Sequence, residues 1–392
     1  MHKQVVPLLI IFIFLASINL TSEECTTAVI GKDASADGNP ILWKNRDSDH
    51  LINKITYVHE QPYNYIGLIN SEDKTGRMVW VGLNSKGFAI MNSVAYNLPK
   101  EGEMQDLEGI IMADALRTCK TVDDFEELIK SNIGPTLGSQ ANFGVIDAYG
   151  GAALFEVSNK EYKRLNVSEF RENYIINTNF ARSGEKNKGR GYLRYDRAFE
   201  IFKNIPPKGI THNYIIQTVS RDIGNILLGN VFKNNQIESS SKWAYTNHSI
   251  NRYYTSAAVI IHGKNPLKKE DIATMWVLLG EPTCTIAIPL WVEAGEIPDS
   301  LAKGNIVAIA AESNRLKQIL RPFPDDERKD YLDATKLLNN NGTGWLPTLL
   351  NTENEILKET ELFLSEEHTA QEYKNFQEKI TNKALETLKQ IN

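Results

Sequence analysis

Beyond residue 25 the chain opens with short apolar runs separated by turn residues. They fall at 27–30, 41–43, 55–58, 65–69, 78–83 and 88–94. The breaks Ala36-Asp37-Gly38-Asn39-Pro40, Lys74-Thr75-Gly76 and Asn84-Ser85-Lys86-Gly87 carry the residues that hairpin connections need. This stretch predicts an antiparallel sheet. The spacing then becomes helical over 107–119 and 122–131, the second helix opening at Thr121 with acidic residues in its first turn. Strands follow at 141–147 and 152–157 around Tyr149-Gly150-Gly151, and another at 173–180. Helices are predicted at 192–203 and 212–223, and strands at 256–262, 274–279 and 285–291.

The last ninety or so residues read as mainly helical. Phe376, Ile380, Ala384, Leu388 and Ile391 recur at three- and four-residue spacing, which gives one apolar face with charges opposite, suited to closing over a main domain. Asn339-Asn340-Asn341-Gly342-Thr343-Gly344 is a loop. Strands, then helices, then strands again suit an α+β protein in which two antiparallel sheets pack together with helices outside. The expected division is 1–24 as a removed signal peptide and short leader, 25–300 as the main domain, and 301–392 as a helical region packed on it.

Composition narrows the functional classes. The chain has 392 residues, 42% of them hydrophobic and 23% charged, enough for a sizeable core. The net charge is -6 with the signs well mixed, so the basic stripe that nucleic acid requires is missing. There are three cysteines, Cys25, Cys119 and Cys284, too few for a disulfide framework, and an odd number leaves at least one thiol free. Cys119 ends a predicted helix and reads as a packing residue; Trp276, Cys284, Pro289 and Trp291 read as core. No close Cys/His ligand spacing supports a zinc site, and no cofactor is expected.

His2 and Lys3, the apolar run 5–15 and the small or polar Ala16, Ser17, Thr21 and Ser22 have the form of a secretion signal. They place the mature protein in a secreted or periplasmic setting, without stable membrane association. Just beyond lies Ser22-Glu23-Glu24-Cys25-Thr26. A cysteine that becomes the first residue carries a thiol, with pKa about 8.5, beside an α-amine, with pKa about 7.7 to 8.0. That amine can act as the general base for its own thiol. Two other readings compete: Cys25 as a buried strand cysteine, and Cys25 as a lipid-anchored residue of a binding protein. Lipid attachment favours a small preceding residue, and here that residue is Glu24.

Together, Cys25, Asn45-Arg46-Asp47, Gly82-Leu83-Asn84-Ser85-Lys86-Gly87, Asn142-Phe143 and Thr178-Asn179-Phe180 resemble the N-terminal-nucleophile cysteine hydrolases. The similarity points to the penicillin acyltransferase-like peptidases and the choloylglycine group of bile-salt and penicillin V hydrolases, and spans about 25–291. It implies a four-layer αββα fold and cleavage of a linear, non-peptide carbon–nitrogen amide, or transfer of its acyl group. Cys25 would then be the nucleophile, Asp47 the partner of its freed amine, and Asn179 a donor to the oxyanion, with Asn92 near a second such position. Arg46 is favoured over Lys44 for the family's arginine. Asn142, Arg194 and Arg252 are candidates for substrate binding, although each arginine alone also reads as a surface charge. The resulting expectation is an amidohydrolase taking a small acylated amide through a thioester, with an acyltransferase or a non-enzymatic binding protein as the alternatives. A homo-oligomer is compatible with this reading.

Overall fold

The computed structural model describes residues 24–391 apart from 103–104, 206–208, 234–235, 238–241, 266, 269–270 and 340. The expected signal segment lies outside the described residues. In chain order the main strands are β1 (Thr26–Ile30), β2 (Ile41–Asp47), β3 (Asn53–Val58), β4 (Tyr65–Asn70), β5 (Val79–Asn84), β6 (Ala89–Val94), β7 (Gln140–Ile146), β8 (Ala152–Ser158), β9 (Tyr162–Asn166), β10 (Tyr174–Asn177), β11 (Thr255–His262), β12 (Thr274–Leu279) and β13 (Ile288–Leu290). The main helices are α1 (Glu108–Thr118), α2 (Val122–Asn132), α3 (Tyr192–Lys203), α4 (Ala308–Leu320), α5 (Leu346–Phe363) and α6 (Ala370–Gln390).

The strands form two antiparallel sheets. One runs in the order β10-β1-β2-β11-β12-β13, and the other is a meander from β3 to β9. Alternation along the meander sorts its side chains onto two faces. Phe143, Val145, Phe155 and Val157 point outward and pack with Met112 and Leu116 of α1 and Phe125 and Ile129 of α2. Val81, Leu83, Met91, Ile146 and Leu154 point inward and share a core with Val29 and Leu42 of the six-stranded sheet. Glycine permits both contacts at close range. A Cβ on Gly82 would lie 2.5 Å from Leu116 Cδ1, and one on Gly144 would lie 2.8 Å from Val29 Cγ2.

The outer face of the six-stranded sheet is covered in turn, with Trp43 stacked on Phe202 of α3 at 6.0 Å. The order of layers is therefore helix, sheet, sheet, helix, the α+β arrangement expected from the sequence. Local signals agree with it: Thr121 and Asp124 form a capping box at α2, as do Thr369 and Glu372 at α6.

The C-terminal helices pack on this body. Trp291 meets Tyr373 of α6 at 5.3 Å between ring centroids, and its backbone N–H donates to Gln377 Oε1 at 2.8 Å. Glu353 of α5 is fully buried, forming an ion pair with Arg221 at 2.8 Å and accepting the Ala287 N–H at 2.8 Å.

Several elements differ from expectation, among them the predicted strand 285–291, which is reduced to Ile288–Leu290. The predicted strand 173–180 ends at Asn177, where Arg182 takes Asn177 Oδ1 and the Ile176 carbonyl, leaving 178–180 for other contacts. The predicted helix 212–223 is one α-turn followed by a π-turn at Ile215–Val219, because the Ser220 N–H and hydroxyl both bond to the Ile215 carbonyl at 2.9 Å. Strand β9, with the sequence YKRLN, is an edge strand whose polar composition hides it from an apolar-pattern reading.

Removing one partner of a buried ion pair leaves an uncompensated charge, at a cost of about 3–5 kcal/mol. Glu353→Ala should lose stability of that order in urea unfolding. Lys303→Ala, which removes an exposed pair with Asp299, should stay within about 0.5 kcal/mol.

Candidate active site

The site begins with strand register. Thr26 faces Asn45, so the chain just before β1 runs beside the end of β2. The Glu24 N–H extends this pairing by donating to the Asp47 carbonyl at 3.2 Å. The peptide nitrogen of Cys25 donates to Asn179 Oδ1 at 3.0 Å. Cys25 is 4% exposed.

Five charged groups meet around this peptide bond. The Asp47 carboxylate is fully buried and accepts from Arg252 Nε at 2.5 Å and from the Thr255 hydroxyl at 2.7 Å. Arg194 donates to the Cys25 carbonyl at 2.8 Å, Thr26 Oγ1 at 3.0 Å, Asn179 Oδ1 at 2.9 Å and Glu24 Oε2 at 3.0 Å. Arg252 Nη2 reaches the same Glu24 oxygen at 3.0 Å, and Arg190 lies 3.7 Å from Oε1. Burial alone would raise the Glu24 pKa, but Arg252, Arg194 and Arg190 together hold it below the usual value. Burial also works against the charge on Arg194, as does the neighbouring Arg252 cation.

Arg194 reaches the site because α3 starts unusually close to it. Gly191 has φ +78°, and a Cβ there would lie 2.9 Å from the Thr178 side chain. Arg252 arrives from the loop just ahead of β11, whose Thr255 pairs with Asp47 across the sheet.

The structure thus brings together Cys25, Asp47, Asn179, Arg194 and Arg252. Arg194 and Arg252 are 1% and 5% exposed, which overturns their reading as surface charges. The side chain of Asn179 is oriented by its hydrogen bonds. Two N–H donors, from Cys25 and Arg194, converge on its side chain, so its oxygen must face them, while its Nδ2 donates to the Val94 carbonyl at 3.1 Å. The oxygen of Asn179, rather than its amide nitrogen, faces the Cys25 N–H.

The other candidates have supporting places. Arg46 donates to Asn53 Oδ1 at 2.7 Å and lies over Trp80 at 4.9 Å. Lys44 turns between the sheets to Asn92 Oδ1 at 2.7 Å and to the Trp80 carbonyl at 2.9 Å. Asn92 in turn donates to Glu108 at 2.7 Å, so its side chain links a buried Lys44–Asn92–Glu108 network. Asn142 donates to the Phe180 carbonyl at 3.2 Å and to Ser93 Oγ at 3.3 Å, and Ser93 donates to the Thr178 carbonyl at 2.8 Å. Asn142 therefore steadies the segment that carries Asn179. Asn84, from the glycine-bounded turn, ties that turn to the end of α1 through the Leu116 and Cys119 carbonyls.

Sequence reasoning missed Glu24 and Arg190 as participants. Their only signal was adjacency, Glu24 to Cys25 and Arg190 to the start of α3. Glu156 was also missed. It is 1% exposed and accepts the Arg182 and Ser183 N–H groups just past Asn179.

The other cysteines behave as core. Burial pushes the Cys119 thiol up to about 12 and the Cys284 thiol well above its ordinary value. Asp37, His212 and His262 bring ligand-type atoms within 4.8 Å of one another. The two imidazoles lie at 4.2 Å with their planes tilted by 30°, His262 is engaged with Asp37 at 2.8 Å, and Trp276 stacks on His212 at 5.8 Å. The group reads as an aromatic cluster closed by the His262–Asp37 hydrogen bond.

A buried cysteine at a strand start, with a carboxylate, an asparagine and two arginines around it on two packed antiparallel sheets, is an arrangement similar to that expected of the N-terminal-nucleophile hydrolases. The sequence matches the family described as "Acyl-coenzyme A:6-aminopenicillanic acid acyl-transferase" over residues 34–198, which include Asp47, Asn179 and Arg194 but neither Cys25 nor Arg252. Among solved structures, an N-acylethanolamine-hydrolyzing acid amidase ortholog from Caenorhabditis elegans is 12% identical, with 62% of this chain and 94% of that chain covered and a TM-score of 0.43. A conjugated bile acid hydrolase from Clostridium perfringens is 12% identical, with 65% and 89% covered and a TM-score of 0.38. A penicillin V acylase from Agrobacterium tumefaciens is 14% identical, with 71% and 88% covered and a TM-score of 0.37. No curated protein sequence gives a significant match.

One pH effect follows from the aromatic cluster. Burial, with the nearby His262, lowers the His212 pKa to about 3. An unfolded histidine titrates near 6.5. Below that pH the unfolded chain takes up a proton that the native state refuses, so stability should fall from about pH 6.5 towards pH 3. Urea midpoints measured across this range should show a shallower fall in His212→Phe than in the parent chain.

Proposed function

We propose that the mature protein begins at Cys25 and is a secreted cysteine amidohydrolase acting on linear amides of small acylated substrates. The observation that carries this reading is the convergence of Asp47, Asn179, Arg194 and Arg252 on the Glu24–Cys25 peptide. Those groups surround the one bond whose cleavage would create a cysteine with its own amine.

In the first stage the Cys25 thiol attacks the Glu24 carbonyl. The C–N bond breaks as the C–S bond forms, the Cys25 nitrogen gains the thiol proton, and water then hydrolyses the thioester. The chain ending at Glu24 leaves. In turnover the freed α-amine takes the thiol proton, the thiolate attacks a substrate carbonyl, and the ammonium returns the proton to the leaving nitrogen. Water resolves the acyl-enzyme thioester.

The neighbours have distinct tasks. Asn179 Oδ1, which already faces the Cys25 nitrogen, orients the amine. Asp47 fixes Arg252, and the buried guanidinium groups of Arg252 and Arg194 offset negative charge developing at the carbonyl. Arg46, Lys44 and Asn92 support the strands beneath. Acyl transfer is the second reading, favoured by the acyltransferase description of the family matched over residues 34–198. It differs only in the amine that would replace water.

The direct test is N-terminal sequencing with intact mass of the protein secreted by a native-like host. The expected result is a chain beginning at an unmodified Cys25, and a lipidated Cys25 or a stable upstream start would overturn the reading. Cys25→Ala should stay joined to Glu24 and lose amide hydrolysis by at least about 10³-fold. With a free amine added as competing acceptor, the acid should remain the main product.

A further inference from the structure

Resting on the amidase reading above, we infer that Arg194, Arg252 and Arg190 form an acyl-side anion subsite. It selects substrates whose acyl chain ends in a carboxylate separated from the scissile carbonyl by three carbons, as in a glutaryl amide.

The argument starts from which side of the bond Glu24 occupies. In leader removal Glu24 supplies the carbonyl that the thiol attacks, so Glu24 is the acyl group of the first thioester that Cys25 would form. A substrate thioester on the same sulfur places its own acyl carbonyl where that of Glu24 stood. Whatever holds the Glu24 side chain is therefore positioned to hold the substrate's acyl chain. The holding groups are cations: Arg194 Nη2 and Arg252 Nη2 both donate to Glu24 Oε2 at 3.0 Å, and Arg190 stands 3.7 Å from Oε1. Three methylene or methine carbons separate the carbonyl of a glutamyl residue from its carboxylate, which sets the spacing.

Charge makes this more than a coincidence of position. Arg194 and Arg252 are buried, and the other acid between them is Asp47, at 2.5 Å from Arg252 and 3.9 Å from Arg194. While Glu24 is present, its carboxylate and that of Asp47 face the three arginines, with Asp330 acting on Arg252 from farther off. When Glu24 leaves, the cluster loses the carboxylate that bridges Arg194 and Arg252. A buried cation without a counter-charge is costly, so the empty position favours an anion over a neutral chain. Arg190 is 50% exposed at its side chain and lies over Tyr96 at 4.4 Å, a cation at the outer edge of the clamp.

The test uses mature protein whose first residue has been verified as Cys25, with glutaryl-p-nitroanilide and pentanoyl-p-nitroanilide as a matched pair. Charge-assisted hydrogen bonds of this kind should favour the glutaryl compound in kcat/KM by about 10- to 100-fold. In calorimetry, glutarate should bind where neutral pentanamide at equal concentration does not. Equal turnover of the two anilides, with no glutarate binding, overturns the subsite and leaves the amidase reading intact. Glutarate binding with neither anilide cleaved keeps the subsite and overturns the amidase reading instead. In the unprocessed chain, Glu24→Gln should slow leader release at least about 10-fold. Release at the parental rate would overturn the claim that the arginines grip the acyl side.

Discussion

The rest of the site depends on one buried carboxylate–guanidinium contact, Asp47 with Arg252. Both groups are nearly inaccessible to water, and each would be costly alone. Their union fixes the end of β2 against the loop before β11, and the Thr255 hydroxyl takes the second Asp47 oxygen. The carbonyl of the same Asp47 receives the Glu24 N–H, so the chain entering β1 is aligned by the residue that holds Arg252. Arg194 then closes the arrangement from α3, touching Glu24, Cys25, Thr26 and Asn179 at once. The Glu24–Cys25 peptide is thereby held from both sides.

The second sheet contributes through its polar inner face. Ser93, Asn142 and Glu156 stand where an all-apolar sandwich would place aliphatic side chains, and all three bond to the backbone of 178–183. The segment carrying Asn179 is therefore suspended between the sheets rather than paired as a strand. This explains why β10 stops at Asn177. It also explains why buried polar residues are tolerated, since each spends hydrogen bonds on a backbone group that would otherwise be orphaned. The Lys44–Asn92–Glu108 chain is a parallel case farther along β6, a buried charge pair bridged by an amide. Outside the sandwich, Glu353 and Gln377 carry the same principle to the C-terminal helices, where each takes a backbone N–H from the 285–291 segment of the main body.

Much of the fold was legible because period and burial agree. The runs near 27–30, 65–69, 78–83 and 274–279 alternate or stay apolar as strands of a two-sheet core must, and Thr121 with Asp124 announces α2 through chemistry confined to four residues. Where tertiary contacts overrode local preference, the reading failed. Ser220 converts a helical stretch into a π-turn, and β9 is held by its partner β8 more than by its own composition. The place of Cys25 at the start of β1 was legible too, because the apolar run that follows it reads as a strand.

The sequence by itself determined the α+β class, the order of most elements, the absence of a disulfide framework and the special position of Cys25. These follow from residue types and spacings of a few positions, which local sterics and hydrophobic periodicity translate directly into structure. Only the tertiary structure decided that Arg194 and Arg252 are buried, that Asn179 turns its oxygen toward Cys25, and that Glu24 sits in a clamp of arginines. Those facts join residues 150 to more than 200 positions apart. No local pattern encodes such meetings, because the energy that fixes them, the pairing of charges removed from water, exists only after two sheets have closed around them.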